Sequence, residues 1–164
     1  MSTVYLRKPN ISDLEEIEKA YKKSQILHHP WTYPPTDFQH YLQQEGRYFL
    51  CLTETHQIIG TFNISNIIRG YFHSAYLGYE VFEPFQGHGY MRLGINLLLN
   101  EAFYVLNLHR LEANIQAENT ASIRLVADAG FILEGFSRQY LRIGGQQWMD
   151  HQRWAIINED WAED

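Results

Sequence analysis

Cysteine is almost absent: Cys51 is the only one in 164 residues. An internal disulfide is therefore excluded, and the chain suits a reducing cytoplasm. Metal-ligand spacing is also missing. The 8 histidines include no His-x-x-x-His pair, and His28 and His29 are merely adjacent, so no metal is expected. No apolar run approaches membrane-span length and no signal-like stretch opens the chain, which argues against a membrane role. Basic residues are in deficit. With 13 Lys and Arg against 19 Asp and Glu the formal charge is −6, which disfavours a nucleic-acid partner and favours a basic one. No repeat, low-complexity tract or linker interrupts the sequence, so 1–164 reads as one domain.

Aromatic residues, by contrast, are plentiful. They make up 15% of the chain, with 11 Tyr and 4 Trp, more than a plain core requires, and they suit a groove that grips flexible ligands. The hydrophobic share of 45% and charged share of 20% are those of a globular protein.

Local patterns then order the elements. Thr3 to Arg7 alternates as a short strand ended by Pro9. Ser12-Asp-Leu-Glu15 has capping-box spacing and predicts a helix to about Lys23, with Leu14, Ile17 and Tyr21 on one face. The stretch from Ser24 to Pro35 is too proline-rich to continue it, and a second helix runs from Asp37 to Gln43. Arg47–Thr53 and Ile58–Ile67 form a hairpin, and Ala75–Phe82 is a further strand. Leu93, Leu97, Leu98, Ala102 and Leu106 mark a long amphipathic helix. Leu111–Ile115 is a strand, and Asn119 caps a helix to about Ala129. Strand residues Phe131–Glu134 follow, then Gln139–Ile143 paired with Gln146–Ile156 across Gly144-Gly145. The order β-α-α-β-β-β-α-β-α-β-β predicts a mixed α/β sheet of about seven strands flanked by four helices.

The chemistry concentrates at Gln86-Gly87-His88-Gly89, a glycine turn between the third-to-last residues of a strand region and a helix N-terminus. Free N–H groups and the positive end of the helix dipole converge there, and glycine leaves no Cβ in the way, so the turn reads as an anion cradle for a pyrophosphate. A dinucleotide fingerprint needs a third glycine where Arg92 stands. A P-loop through Gly89 and Gly94 needs Lys and Ser or Thr where Ile95 and Asn96 stand.

What remains, Gln86-x-x-Gly89-x-Met91 after Val81, resembles motif A of the GNAT family of acetyl-CoA-dependent N-acetyltransferases. Met91 departs from the usual Gly or Ala, and Gly89-Tyr90-Met91 is similar to the RimJ/RimL branch, which acetylates protein N-termini. Asn119-x-x-Ser122, with Gly130-Phe131 downstream and then Leu133-Glu-Gly135, is similar to motif B, and the element order matches across the whole chain. The resemblance implies acetyl-CoA as cosubstrate, lying in a splay between the fourth and fifth strands. Its pantetheine would pair with backbone near Val81, and its pyrophosphate would sit on Gln86, Gly87, His88, Gly89, Tyr90 and Met91, with Asn119 and Arg124, and Arg92, nearby.

The resemblance also implies roles. The position that carries a tyrosine acid in many relatives is Val126, which has no proton to give, and Ser122, one turn earlier, matches the serine of RimL-like enzymes. A neutral hydroxyl suffices to stabilise a thiolate whose pKa is near ~8.5. The base is open: the family glutamate falls near Leu141, and Glu80, Tyr140 or a water chain to a carbonyl are the alternatives. Cys51 has no activating pattern, so direct transfer in a ternary complex is expected. Trp31 and Tyr33 are candidates for the acceptor wall. The implied acceptor is a protein N-terminal α-amine, with a small amine or a non-catalytic acyl-CoA-binding module as alternatives, in a monomer or homodimer.

Overall fold

The computed structural model describes residues 3–145 and 147–164. Seven strands form one sheet: β1 (Val4–Arg7), β2 (Arg47–Leu52), β3 (Ile58–Ile68), β4 (Ser74–Val81), β5 (Arg110–Ile115), β6 (Ile132–Ile143) and β7 (Gln147–Ile157). Their spatial order is β1-β2-β3-β4-β5-β7-β6. Every neighbouring pair is antiparallel except β4 with β5. The helices are α1 (Leu14–Lys23), α2 (Gln25–His28), α3 (Phe38–Gln43), α4 (Tyr90–Asn100) and α5 (Thr120–Asp128). None of the described helices is long and apolar enough to cross a membrane.

Alternation along β2 shows how the sheet is buried on both sides. Phe49 and Cys51 pack with Ile17 and Tyr21 of α1 and Tyr41 and Leu42 of α3. Tyr48 and Leu50 face the opposite way, into the larger core with Phe62, Ile95, Leu98 and Val126. Gly94 brings α4 close to the sheet: a Cβ there would lie 2.8 Å from Leu50 and 2.9 Å from Phe62.

Several local expectations change. The capping box lies two residues earlier than the pattern suggested. Asn10 accepts from the Ser12 N–H at 2.9 Å, and Asp13 accepts from the Asn10 N–H at 2.8 Å. Arg7 forks onto both oxygens of Asp13 at 2.9 Å, which fixes Asp13 rather than Glu15 as the reciprocal acceptor. The short helix α2 is an addition to the expected four, possible because Pro30, the first proline of the Ser24–Pro35 stretch, comes after it. On α4 the buried stripe is Ile95, Leu98 and Leu99, and Leu93 is 44% exposed, because the close approach of Gly94 sets which side meets the sheet. Beyond Asn100 the helix widens into a π-turn, Glu101–Val105. The two expected pieces near the end are one strand, β6, kept continuous by register shifts after Leu133 and after Ser137. Gln146, the expected start of its partner, lies outside the described residues.

The tight seat of Gly94 gives a stability test. Gly94→Val should cost about 1–3 kcal/mol by overpacking against Leu50 and Phe62. A urea titration should show a lower midpoint at unchanged slope; an unchanged midpoint would mean that α4 does not bear on the sheet as described.

Candidate active site

The parallel pair β4 and β5 holds register only at Ser74↔Arg110, Ala75↔Leu111 and Tyr76↔Glu112. Past Tyr76, β4 continues to pair with β3 as far as Gly60↔Val81, but its other edge is left open. A cavity of about 570 Å³ fills the gap, bounded by β4, the Gln86–Gly89 turn, and the first turns of α4 and α5.

At the turn, Gly87 and Gly89 adopt left-handed φ of +78° and +80°, which L side chains rarely adopt. A Cβ at either would meet nothing within 4 Å, so the glycines leave the cradle open as well as allowing the bend. Gly89 is the N-cap of α4 and provides no side-chain acceptor, so the first-turn N–H groups are available to a ligand. Gln86, Gly87, Gly89, Tyr90, Met91, Asn119 and Arg124 all line the cavity. His88 does not; its ring stacks on Tyr90, 5.6 Å between centroids, and donates through Nδ1 to the Gln86 carbonyl at 2.9 Å. Arg92 also lines it, tied to Asp128 at 2.5 Å. Met91 is accommodated by Gly60, where a Cβ would come 3.0 Å from its sulfur.

A second cavity of about 270 Å³ adjoins the first. Trp31, Thr32, Tyr79, Glu80, Asn119 and Ser122 line both. Asn119 caps α5 by accepting from the Ser122 N–H at 3.3 Å. The Ser122 hydroxyl lies 2.6 Å from the Tyr79 hydroxyl. Tyr79 is held neutral, its phenol pushed up to about 12 by burial while the bond to Ser122 pulls the other way. Val126, although one helical turn after Ser122, does not share this face: it is fully buried in the core.

Glu80 is turned into the site rather than away from it. Its Oε1 accepts from the Tyr21 hydroxyl at 2.5 Å, and Tyr21 meets the Tyr41 hydroxyl at 3.0 Å. Burial first, then the Glu80 charge, raises the Tyr21 phenol far above the ordinary range, so it stays a donor. The Arg47 guanidinium lies over the Tyr41 ring, 3.7 Å from its centroid. Two other candidates stay out of both cavities. Tyr33 packs on His29 and against Gly144, and Tyr140 lies against Tyr76 and His151. Leu141, near which the family glutamate falls, lines the second cavity with an apolar side chain. Cys51 is buried and burial pushes its thiol up, so it is no nucleophile. No group of metal-binding side chains occurs among the described residues.

Tyr79, Tyr21, Tyr41 and Arg47 are site residues that the sequence reading did not single out. Tyr79 alone carried a signal, two residues before Val81 and hence on the same strand face. Tyr21 looked like core because its helical face is core.

Two cavities sharing one wall leave room for two ligands side by side, the arrangement that a group transferase needs. The chain belongs to the GNAT family of acetyltransferases: residues 3–132 match the family's Acetyltransferase (GNAT) domain. With the family comes acetyl-CoA as cosubstrate and acyl transfer as the reaction. A probable N-acetyltransferase of Bacillus subtilis, YjcK, is 35% identical over 76% of this chain and 70% of its own. The ribosomal protein uS5-alanine N-acetyltransferase of Escherichia coli is 39% identical over 65% of this chain, a match spanning about half (54%) of that enzyme. Among solved structures, ribosomal-protein-S5-alanine acetyltransferase from Vibrio fischeri superposes with TM-score 0.88 at 28% identity, covering 99% of this chain and 97% of that one. Mycobacterium smegmatis RimJ, solved with CoA-disulfide, gives TM-score 0.84 at 24% identity over 98% and 85% of the two chains.

The cradle can be tested directly. Saturating coenzyme A at one hundred times its Kd should stabilise the protein by about 2.7 kcal/mol. Gly89→Val should abolish most of the resulting Tm rise while the unliganded protein still unfolds cooperatively. A variant that keeps the full Tm rise would place the pyrophosphate elsewhere.

Proposed function

We propose that this protein transfers the acetyl group of acetyl-CoA to a protein or peptide N-terminal α-amine by direct attack in a ternary complex. The observation that carries this reading is the charge balance of the second cavity. Glu80 is the only carboxylate among its described lining residues, and Arg47 opposes it. The rest of the polar wall includes Thr61, Asn63, Asn114, Gln116 and the His151 imidazole, with no further Asp, Glu, Lys or Arg among the described lining residues. Arg47 Nε and Asn114 Oδ1 are buried with no hydrogen-bond partner in the protein. A peptide N-terminus satisfies all three groups at once: its amine at Glu80, a backbone carbonyl at Arg47, and a backbone N–H at Asn114. A polyamine brings several cations to a cavity with one carboxylate and a guanidinium, a poorer match.

In this reading the Gln86–Gly89 turn and the α4 N-terminus hold the pyrophosphate, and Val81 backbone holds the pantetheine. Glu80 receives the amine proton. Ser122 donates to the departing thiolate, and Tyr79 orients that hydroxyl. The α-amine also suits a modest base, since it titrates near ~7.7–8.0 against ~10.4 for lysine, about 3.5 kcal/mol less deprotonation to supply. The uS5-alanine acetyltransferase named above acts on an alanine of a ribosomal protein, which supports the reading. A spermidine N(1)-acetyltransferase of Vibrio cholerae is also related, 33% identical over 44% of this chain and 41% of its own, and makes a small amine the second reading.

Two matched peptides separate these readings, one with a free N-terminus and no lysine, one blocked and carrying a single lysine, with spermidine as a third acceptor. Thiol release should be fastest with the first; faster release with the blocked peptide or spermidine would overturn the α-amine reading. Ser122→Ala should lower kcat about 10²-fold with acetyl-CoA affinity little changed. Tyr79→Phe should lower it less, and the double variant should equal Ser122→Ala alone, because Tyr79 works through Ser122.

A further inference from the structure

His28 stands in an unusual relation to Glu80. Its Nε2 lies 2.7 Å from the Val81 carbonyl oxygen. A carbonyl oxygen only accepts, so Nε2 carries the hydrogen, and in the neutral form of the ring a bare Nδ1 lone pair is turned the other way. That lone pair lies 3.7 Å from Glu80 Oε2, with the two side chains 6% and 13% exposed. Oε2 is buried and has no hydrogen-bond partner, while Oε1 is occupied by Tyr21. In that form two acceptors face each other at the edge of the cavity that both residues line, and a proton between them would replace the opposition of lone pairs with an attraction.

We propose that Glu80 and His28 form a one-proton store, in which the proton lost by the acceptor amine lands on Glu80 and is held between Oε2 and His28 Nδ1. This rests on the reading above in which Glu80 receives that proton. The amine N–H bond breaks and its electron pair stays on nitrogen for attack on the thioester. An O–H bond forms on Glu80, the proton passes to Nδ1, and the resulting imidazolium donates back to the carboxylate. After product leaves, the proton returns to solvent through the open cavity that both residues line. No other reactant is needed. One proton converts two opposed lone pairs into a charge-assisted contact between imidazolium and carboxylate.

The surroundings suit this role. Tyr21 from α1 faces both members, bonded to Glu80 and edge-on to His28 with 5.7 Å between ring centroids. Tyr41 from α3 lies one hydroxyl further, and from β2 Arg47 reaches Thr61, the β3 neighbour of Glu80, at 3.5 Å. Phe82 of the segment after β4 closes the His28 ring, 5.7 Å between centroids. Across the cavity α4 and α5 present Arg92, Arg124 and Asp128, with Arg92 and Asp128 paired to each other. No second carboxylate among these competes for the His28 lone pair.

The test uses the intact protein, saturating acetyl-CoA and the lysine-free peptide, with kcat/KM followed against pH. His28→Gln keeps a donor for the Val81 carbonyl but takes up no proton. It should lower kcat about tenfold near neutral pH and move the acidic limb of the profile to lower pH, because a lone carboxylate is then the base, while the coenzyme A Tm shift is retained. His28→Gly should lose activity and recover part of it with added imidazole, a response that packing alone does not give. An acidic limb unmoved in His28→Gln, or no imidazole response in His28→Gly if the glutamine variant fails to fold, overturns the couple. Glu80→Gln separates the two levels. A wild-type kcat there removes Glu80 as the proton acceptor altogether, whereas a deficient Glu80→Gln beside a normal His28→Gln profile removes only the store.

Discussion

The parting of β4 from β5 is the constraint on which the site depends. Adjacent parallel strands ordinarily share a ladder along their length, and buried backbone groups are nearly always paired. Here the ladder stops after Tyr76↔Glu112. β4 is kept straight by β3, which pairs with it through Val81, and β5 is drawn the other way by β7, which pairs with it from Arg110 through Ile115. The gap is thus built by neighbours rather than by a weak strand. The open edge of β4 then offers peptide groups to an extended ligand, and the next turn, at Gln86–Gly89, offers N–H groups to its phosphates.

Past that gap the protein spends its aromatic residues on a polar purpose. Tyr21 and Tyr41 are buried and Tyr79 partly so, yet each hydroxyl finds a partner that bears on the second cavity. Burial keeps their phenols neutral, so they act through hydrogen bonds and not as charges. Tyr21 fixes Glu80, Tyr79 fixes Ser122, and the two supported groups stand on opposite sides of the wall common to both cavities.

The substitutions at the family positions are physically coherent. Val126 fills the core, so no proton donor is available there. Leu141 gives the second cavity an apolar patch, and Glu80 and Arg47 face the same space with opposite formal charge.

The sequence by itself determined the cradle and the order of elements. Glycine at positions 87 and 89 and an asparagine three residues before Ser122 have local conformational reasons, and local reasons are legible in a chain read residue by residue. It also marked Ser122 and the excess of tyrosine. Tertiary structure alone decided the rest, because it depends on residues far apart. Glu80 meets Tyr21 from 59 positions away and His28 lies 53 positions from the Val81 carbonyl it bonds. Alternation could not say which side of β4 would open, since that is set by where β5 and β7 lead. Helical period could not say that Tyr33 and Tyr140 fall outside the cavities, because both are held by loop and hairpin contacts that no period encodes. Local rules fix the parts; only packing brings a buried carboxylate, a histidine lone pair and a row of hydroxyls to one point.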